Sequence, residues 1–357
     1  MSTGSARSTR TGAPGPDRPW TSGSSTPIGW PLPRPRPSSR SSWSGISPVP
    51  PTNIAASVPH ILVVGSLAYD DVETPFDRRR EVLGGAASYF SMAARMYAPV
   101  RLVGVVGEDF AESDLDRLRA REIDLGGVVR EPGRSFRWLG RYNYELNTAE
   151  TINTDLGVFS GWEPRVPDGF RDSEVVFLAN IHPEVQLRTL EQIREPRIVA
   201  LDTMNYWIER ERAALLTVMA RADIVTVNEA EARQLCGTHS IIRAGREILK
   251  LGPRAVAIKR GEYGAVLFTR DRTFWAPAFP LEEVRDPTGA GDAFAGGLVG
   301  HLARADKIDD AALCTAVLHG TVCASFAVED FSVAGIEKAE AEGVARRMRE
   351  LGALVAI

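Results

Sequence analysis

Short apolar runs separated by helical stretches recur along this 357-residue chain, and they constrain its fold more than any other feature. They are Ile61 to Gly65, Val100 to Val106, Val128-Val129, Val175 to Leu178, Ile198 to Leu201, Ile224 to Val227, Ala255 to Ile258 and Ala265 to Phe268. Runs this short, without alternating polar residues, read as strands buried on both faces. Helical stretches fall between them, near 86–98, 112–121, 184–194, 208–221, 229–236, 240–251, 290–304, 308–327 and 337–350. The alternation predicts an α/β fold: a mainly parallel sheet covered by helices on both faces. From about 135 to 159 the pattern changes, and Phe136-Arg137-Trp138-Leu139-Gly140-Arg141-Tyr142-Asn143-Tyr144 alternates as a half-exposed β-hairpin would. No repeat period is present.

Residues 1–57 stand apart. They are rich in Ser, Pro, Gly, Thr and Arg and offer too little apolar area to offset the entropy of ordering, so a disordered tail is expected. Three readings stay open for it: an extension without function, a transit peptide, or a polyproline segment at Pro31 to Pro37 that docks a partner. Six Arg against one Asp give this tail a charge of +5, which leaves the rest at −9 within a net −4. An acidic body gives no support for a nucleic-acid surface. No uninterrupted apolar run approaches the ~20 residues of a membrane span. Cys236, Cys314 and Cys323 lack metal or CxxC spacing and read as reduced thiols, as in the cytoplasm.

The chemistry concentrates in Asp286-Pro287-Thr288-Gly289-Ala290-Gly291-Asp292. A Pro and two Gly keep this stretch out of regular structure, whereas Asp292 to Ala303 is small, apolar and helical. With Thr288 or Gly289 near the N-cap, the amides of Gly289, Ala290 and Gly291 lack intrahelical partners. Together with the helix dipole they form an anion site. A carboxylate there repels an anion, so Asp292 is either a first-turn acid or a base that takes a proton from an attacking hydroxyl.

This string resembles the C-terminal signature of the PfkB, or ribokinase-like, carbohydrate kinase family, and the likeness extends over roughly residues 60–350. It implies a three-layer, Rossmann-like fold with a small β lid drawn from about 68–82 and 132–160 of a kinase domain at 58–357. It implies phosphate held by the Gly289, Ala290 and Gly291 amides, Asp292 as catalytic base, and Thr288 beside the nucleotide. Gly65-x4-Asp70 is similar to the family's first strand and substrate-binding Asp; Asp70 and Asp71 are placed in a loop. Gly84-Gly85 is similar to its N-terminal Gly-Gly pair. Where the family usually has an Asn, this sequence has Tyr89, which points to a more aromatic acceptor pocket.

Asn228-x-x-Glu231 resembles the element that organises Mg2+ through water, although Asn228 is also a good helix N-cap. Lys259-Arg260-Gly261-Glu262-Tyr263-Gly264 resembles the nucleotide-binding turn, with Lys259, Gly261 and Gly264 against ATP. Arg137 and Arg141 share one face of the hairpin; Arg141 is a candidate substrate contact from the lid, or else a surface arginine. Asn180 and Asp202 follow strands and are candidate substrate contacts. The implied reaction is ATP-dependent phosphorylation of a sugar hydroxyl, with a nucleoside as the alternative acceptor. Mg2+, activation by K+ and a homodimer through the lid are also implied. A Rossmann dehydrogenase fails because the glycines come too late in the chain, and a P-loop fails for want of any Gly-Lys pair.

Overall fold

The computed structural model describes Met1 and residues 58–355, so the expectation for the tail lies outside the described residues. The strands in chain order are β1 Ile61–Val64, β2 Ala68–Glu73, β3 Arg78–Gly84, β4 Val100–Gly107, β5 Ile123–Glu131, β6 Phe136–Tyr142 and β7 Ala149–Asp155. There follow β8 Val175–Leu178, β9 Ile198–Asp202, β10 Ile224–Asn228, β11 Ala255–Lys259, β12 Ala265–Thr269 and β13 Thr273–Ala276.

Nine of them form one sheet in the order β13-β12-β11-β10-β9-β8-β1-β4-β5. Pairing is parallel from β11 to β5, and β12 and β13 add an antiparallel edge. Every residue of β1, β8 and β9 is buried, as their unbroken apolar character requires of strands covered twice. Successive side chains serve opposite layers. Ile61 and Val63 pack with Phe90, Leu298 and Val317, whereas Leu62 and Val64 pack with Val185, Leu215 and Ile248.

The 18-residue helix Asp310–Ala327 is long and apolar enough to cross a membrane, yet most of it is buried inside the molecule, against the helix Ala290–Ala303.

The remaining strands form a second sheet, β3-β2-β6-β7. Its β6–β7 half is an antiparallel hairpin, and β2 joins β6 in parallel. Asp70 and Asp71 therefore sit within a strand, not in a loop. The cause is tertiary: β2 is recruited by β3 and β6, and a register shift between Asp70 and Val72 breaks the alternation that would have marked it in sequence. Between the two sheets, at the carboxyl ends of the parallel strands, lies a cleft of about 2320 Å³. This is where open α/β sheets bind ligands.

Candidate active site

At the cleft floor the chain turns into the helix Ala290–Ala303. Buried Asp286 fixes the turn: one carboxylate oxygen accepts the Thr288 N–H at 2.9 Å and the other that of Ser332 at 3.4 Å. Gly289 is the N-cap with φ of 75°, a backbone region costly for any residue with a Cβ. A Cβ at Gly289 would also run into the ring of Tyr89, which is 1% exposed and packs beneath it. Tyr89 thus supports the helix start, and it also lines the cleft, where the sequence placed a substrate contact. Its hydroxyl is buried and has no hydrogen-bond partner among the described residues.

The Ala290 N–H donates to Pro287 O at 3.2 Å, closing the turn, so this amide is not free as the sequence suggested. Among the described residues, no backbone carbonyl accepts the amides of Gly289 or Gly291. Asp292 follows in the first helical turn, partly open to the cleft. Burial and then the charge of Asp202 push its carboxyl up to about 7, against the pull of Lys259. A carboxylate that titrates near neutrality suits a group that must accept a proton in turnover.

The wall facing this helix start is built by the second sheet, which the resemblance implies is a lid. Asp70 is buried with its carboxylate against Gly84, where a Cβ would collide with it. Gly84 therefore makes room for the carboxylate and does not itself line the cleft, whereas Gly85 does. Burial, reinforced by Asp286 and Asp292, pushes Asp70 up to about 8. Between the ordinary carboxylate value and about 8 the folded protein holds a proton that the unfolded chain has lost, so stability falls as pH rises through that window. Asp70→Asn should raise Tm at pH 8, with the gain shrinking toward pH 5, while acceptor affinity is lost; a pH series of thermal melts checks this.

Phe136, Trp138 and Tyr142 line the cleft from β6, and the Tyr142 hydroxyl lies 3.2 Å from Thr288 Oγ1. Residues alternate along a strand, so Arg137 and Arg141 emerge on the other face. Arg137 binds Glu81 and Asp109, and Arg141 binds Glu73 at 3.4 Å; neither lines the cleft. This corrects the expectation for Arg141. The lid cation that does reach the cleft is Arg79 of β3, resting over the Phe331 ring at 4.9 Å. Three adjacent arginines at 78–80 gave no hint of which one would turn inward.

A family model described as pfkB family carbohydrate kinase matches residues 55–339. The chain belongs to this family. It is a phosphotransferase that acts on a sugar or nucleoside hydroxyl. A cytidine kinase of Thermococcus kodakarensis is 30% identical over 256 residues, covering 70% of this chain and 91% of that protein. The crystal structure of Methanocaldococcus jannaschii nucleoside kinase superposes with a TM-score of 0.66 at 20% identity, covering 82% of this chain and 98% of that one. A putative ribokinase II from E. coli, solved with ATP and Mg2+, superposes at 0.68 with 19% identity over 82% and 99% of the two chains. These solved structures share the ribokinase-like fold.

In this pfkB-family kinase, Asn228 and Glu231 form a capping box for the helix Glu229–Cys236. Glu231 accepts the Asn228 N–H and side-chain amide, both at 2.7 Å, and Asn228 Oδ1 accepts the Glu231 N–H at 2.8 Å. Burial pushes Glu231 up to about 7. Among the described residues, no cluster of three or more His, Cys, Asp or Glu is arranged to hold a metal. Asn228 and Glu231 both line the cleft, and each Glu231 oxygen keeps a lone pair that would accept from the water of an ion such as Mg2+, which takes few protein ligands.

Beside the cap, Arg260 donates to Glu229 at 2.6 Å. Gly261 carries a φ of 55°, and the space a Cβ would need is filled by the carboxamide of Asn147 from the lid. Asn147 Nδ2 donates to Glu262 at 3.3 Å, so the lid tip meets the turn that carries Gly261 and Gly264. Sequence gave no signal for this contact, because Asn147 lies in a hairpin loop where polar residues are the norm.

Two remaining candidates differ in placement. Asn180 lines the cleft and accepts the Trp207 indole N–H at 3.1 Å. Asp202 is only 2% exposed and does not reach the cleft; its carboxylate accepts Lys259 Nζ at 2.6 Å and the Thr203 N–H at 2.8 Å. Asp202 is therefore corrected from a substrate contact to a partner of Lys259.

Proposed function

We propose that this kinase moves the γ-phosphoryl group of ATP to a hydroxymethyl group of a sugar, with Asp292 as the base. The observation that carries it is a carboxylate one residue past the amides of Gly289 and Gly291, all facing one cleft with Asp70 and the lid across it. The acceptor O–H gives its proton to Asp292 while its oxygen forms the new bond to phosphorus. The bond from phosphorus to the bridging oxygen breaks, and ADP leaves with that electron pair. Asp70 accepts hydrogen bonds from neighbouring acceptor hydroxyls and orients the attacking oxygen. Amides of Gly289 and Gly291 face the charge on the equatorial oxygens. Mg2+ carried with the nucleotide would neutralise phosphate charge, with Asn228 and Glu231 holding its water shell. Thr288, Gly261 and Gly264 border the nucleotide. Lid closure excludes water and limits idle hydrolysis of ATP.

A nucleoside acceptor is the second reading, and the aromatic wall favours it. Phe136, Trp138, Phe159 and Trp162 all line the acceptor end of the cleft and offer flat surfaces to a base, and the Thermococcus relative is named a cytidine kinase. Trp138→Ala decides between the two. With a nucleoside, KM should rise about tenfold, the loss of one stacking partner worth ~1–1.5 kcal/mol, while a free sugar is little affected. An equal effect on both classes removes the base-stacking reading.

The proposal extends to a homodimer through the free edges of the lid sheet, tested by light scattering. It also includes a cytoplasmic location, supported by three free thiols, and K+ activation, tested by turnover in KCl against NaCl.

A further inference from the structure

Lys259 ends β11 and Asp202 ends β9, with β10 between them, yet the ammonium reaches across to the carboxylate at 2.6 Å. The same Nζ lies 3.0 Å from the point a Cβ on Gly291 would occupy. The pair is therefore placed directly beside the helix start that seats the phosphate. The Lys259 side chain is only 16% exposed and that of Asp202 only 3%. The charged groups acting on Lys259 are Asp202, Glu231 and Asp292.

A cation at this place needs a reason. The amino end of a helix carries positive partial charge, so an ammonium beside it is disfavoured. Burying a charge pair is also seldom better for stability than apolar packing of the same volume. Asp202, Glu231 and Asp292 hold the ammonium charged, and a phosphoryl group seated at Gly291 would bring a further anion within its reach. Lys259 lines the cleft, as Asp292 does, whereas Asp202 does not, so the ammonium links a carboxylate outside the cleft to the seat within it.

We propose that Lys259 donates to an oxygen of the transferring phosphoryl group seated at Gly291, and that Asp202 is the positioning residue that aims it. This rests on the kinase reading and deepens it. Asp202, buried at a strand end and anchored by the Thr203 N–H, fixes one side of the ammonium, so its remaining N–H groups turn toward the cleft. The cation then meets charge that grows on the phosphoryl oxygens as the bond to ADP breaks, which is stabilisation felt more in the transition state than in the ground state.

The test separates stabilisation from catalysis. Lys259→Met leaves Asp202 buried and unpaired, so both Tm and kcat should fall. The double variant Asp202→Asn/Lys259→Met removes both charges. Its Tm should return close to that of the wild type, while kcat stays about 100-fold down, as for loss of one transition-state donor. Lys259→Arg keeps a cation and should recover part of kcat. If the double variant, or the more polar Asp202→Asn/Lys259→Gln should the first not fold, regains near-normal kcat, the pair is structural and the proposal is wrong. Asp292→Asn run in parallel keeps the two readings apart: if it loses transfer while the neutral pair keeps it, only the Lys259 role falls. Absence of transfer by the wild type with any acceptor overturns the kinase reading itself.

Discussion

Asp292→Asn should lower kcat by about 10²–10⁴-fold, the range for loss of a general base, while the affinity for ATP stays within a few-fold of the wild type. The amide is nearly isosteric and keeps the helix start intact, so the phosphate seat at Gly289 and Gly291 survives. What disappears is the acceptor for the hydroxyl proton. Wild-type kcat/KM should show an acid limb with an apparent pKa near 7, the value at which burial and Asp202 set this carboxyl. Below that pH the base is already protonated and the reaction slows. In Asp292→Asn the contribution of this carboxyl to the limb should vanish, leaving only the weaker dependence set by Glu231 and Asp70. Isothermal titration with ATP and a pH-rate series measure the two halves separately. A variant that turns over normally would return Asp292 to the role of a plain first-turn acid, worth a few tenths to 1 kcal/mol to the helix.

Gly289→Ala is the second large effect. Two costs add at this position. The backbone at φ of 75° strains any residue with a Cβ, and the new methyl would enter the space of the Tyr89 ring. Relief requires moving either the turn or Tyr89, and both shift the amides that face the phosphate. A fall in kcat of about 10²–10³-fold is expected, as when one preorganised donor is lost, together with a lower Tm. Adding Tyr89→Ala opens room for the methyl and should return some turnover, since only the backbone strain then remains. Full activity in Gly289→Ala alone would mean that the amides of this turn do not hold the reacting group.

The fold was readable because its strands are buried on both faces. Continuous apolar runs such as Ile61–Val64 and Val175–Leu178 can be little else at that length, and the helices between them impose parallel pairing. The glycine turn and helix start were readable because they are local: turn, cap and helix lie within a few consecutive residues. Contacts made across the molecule were not. Arg137 and Arg141 share a parity that the sequence shows, but which face of β6 meets the cleft is set by the other sheet. Asp202 and Lys259 lie 57 residues apart, and only the order of β9, β10 and β11 brings them together. Tyr89 was visible as a departure from the family pattern, yet its burial under Gly289 depends on how the helix Ala86–Ala94 packs on Ala290–Ala303. Asp70 stands out through its motif, but its place in a strand was hidden, because pairing with strands distant in sequence makes it part of a sheet.

A crystal structure with a non-hydrolysable ATP analogue, Mg2+ and an acceptor tests the central claim most directly. The account predicts the γ-phosphate within hydrogen-bond distance of the Gly289 and Gly291 amides, and an acceptor hydroxyl between Asp292 and the phosphorus. A nucleotide whose phosphates lie elsewhere in the cleft, or an acceptor oxygen out of reach of Asp292, would contradict it.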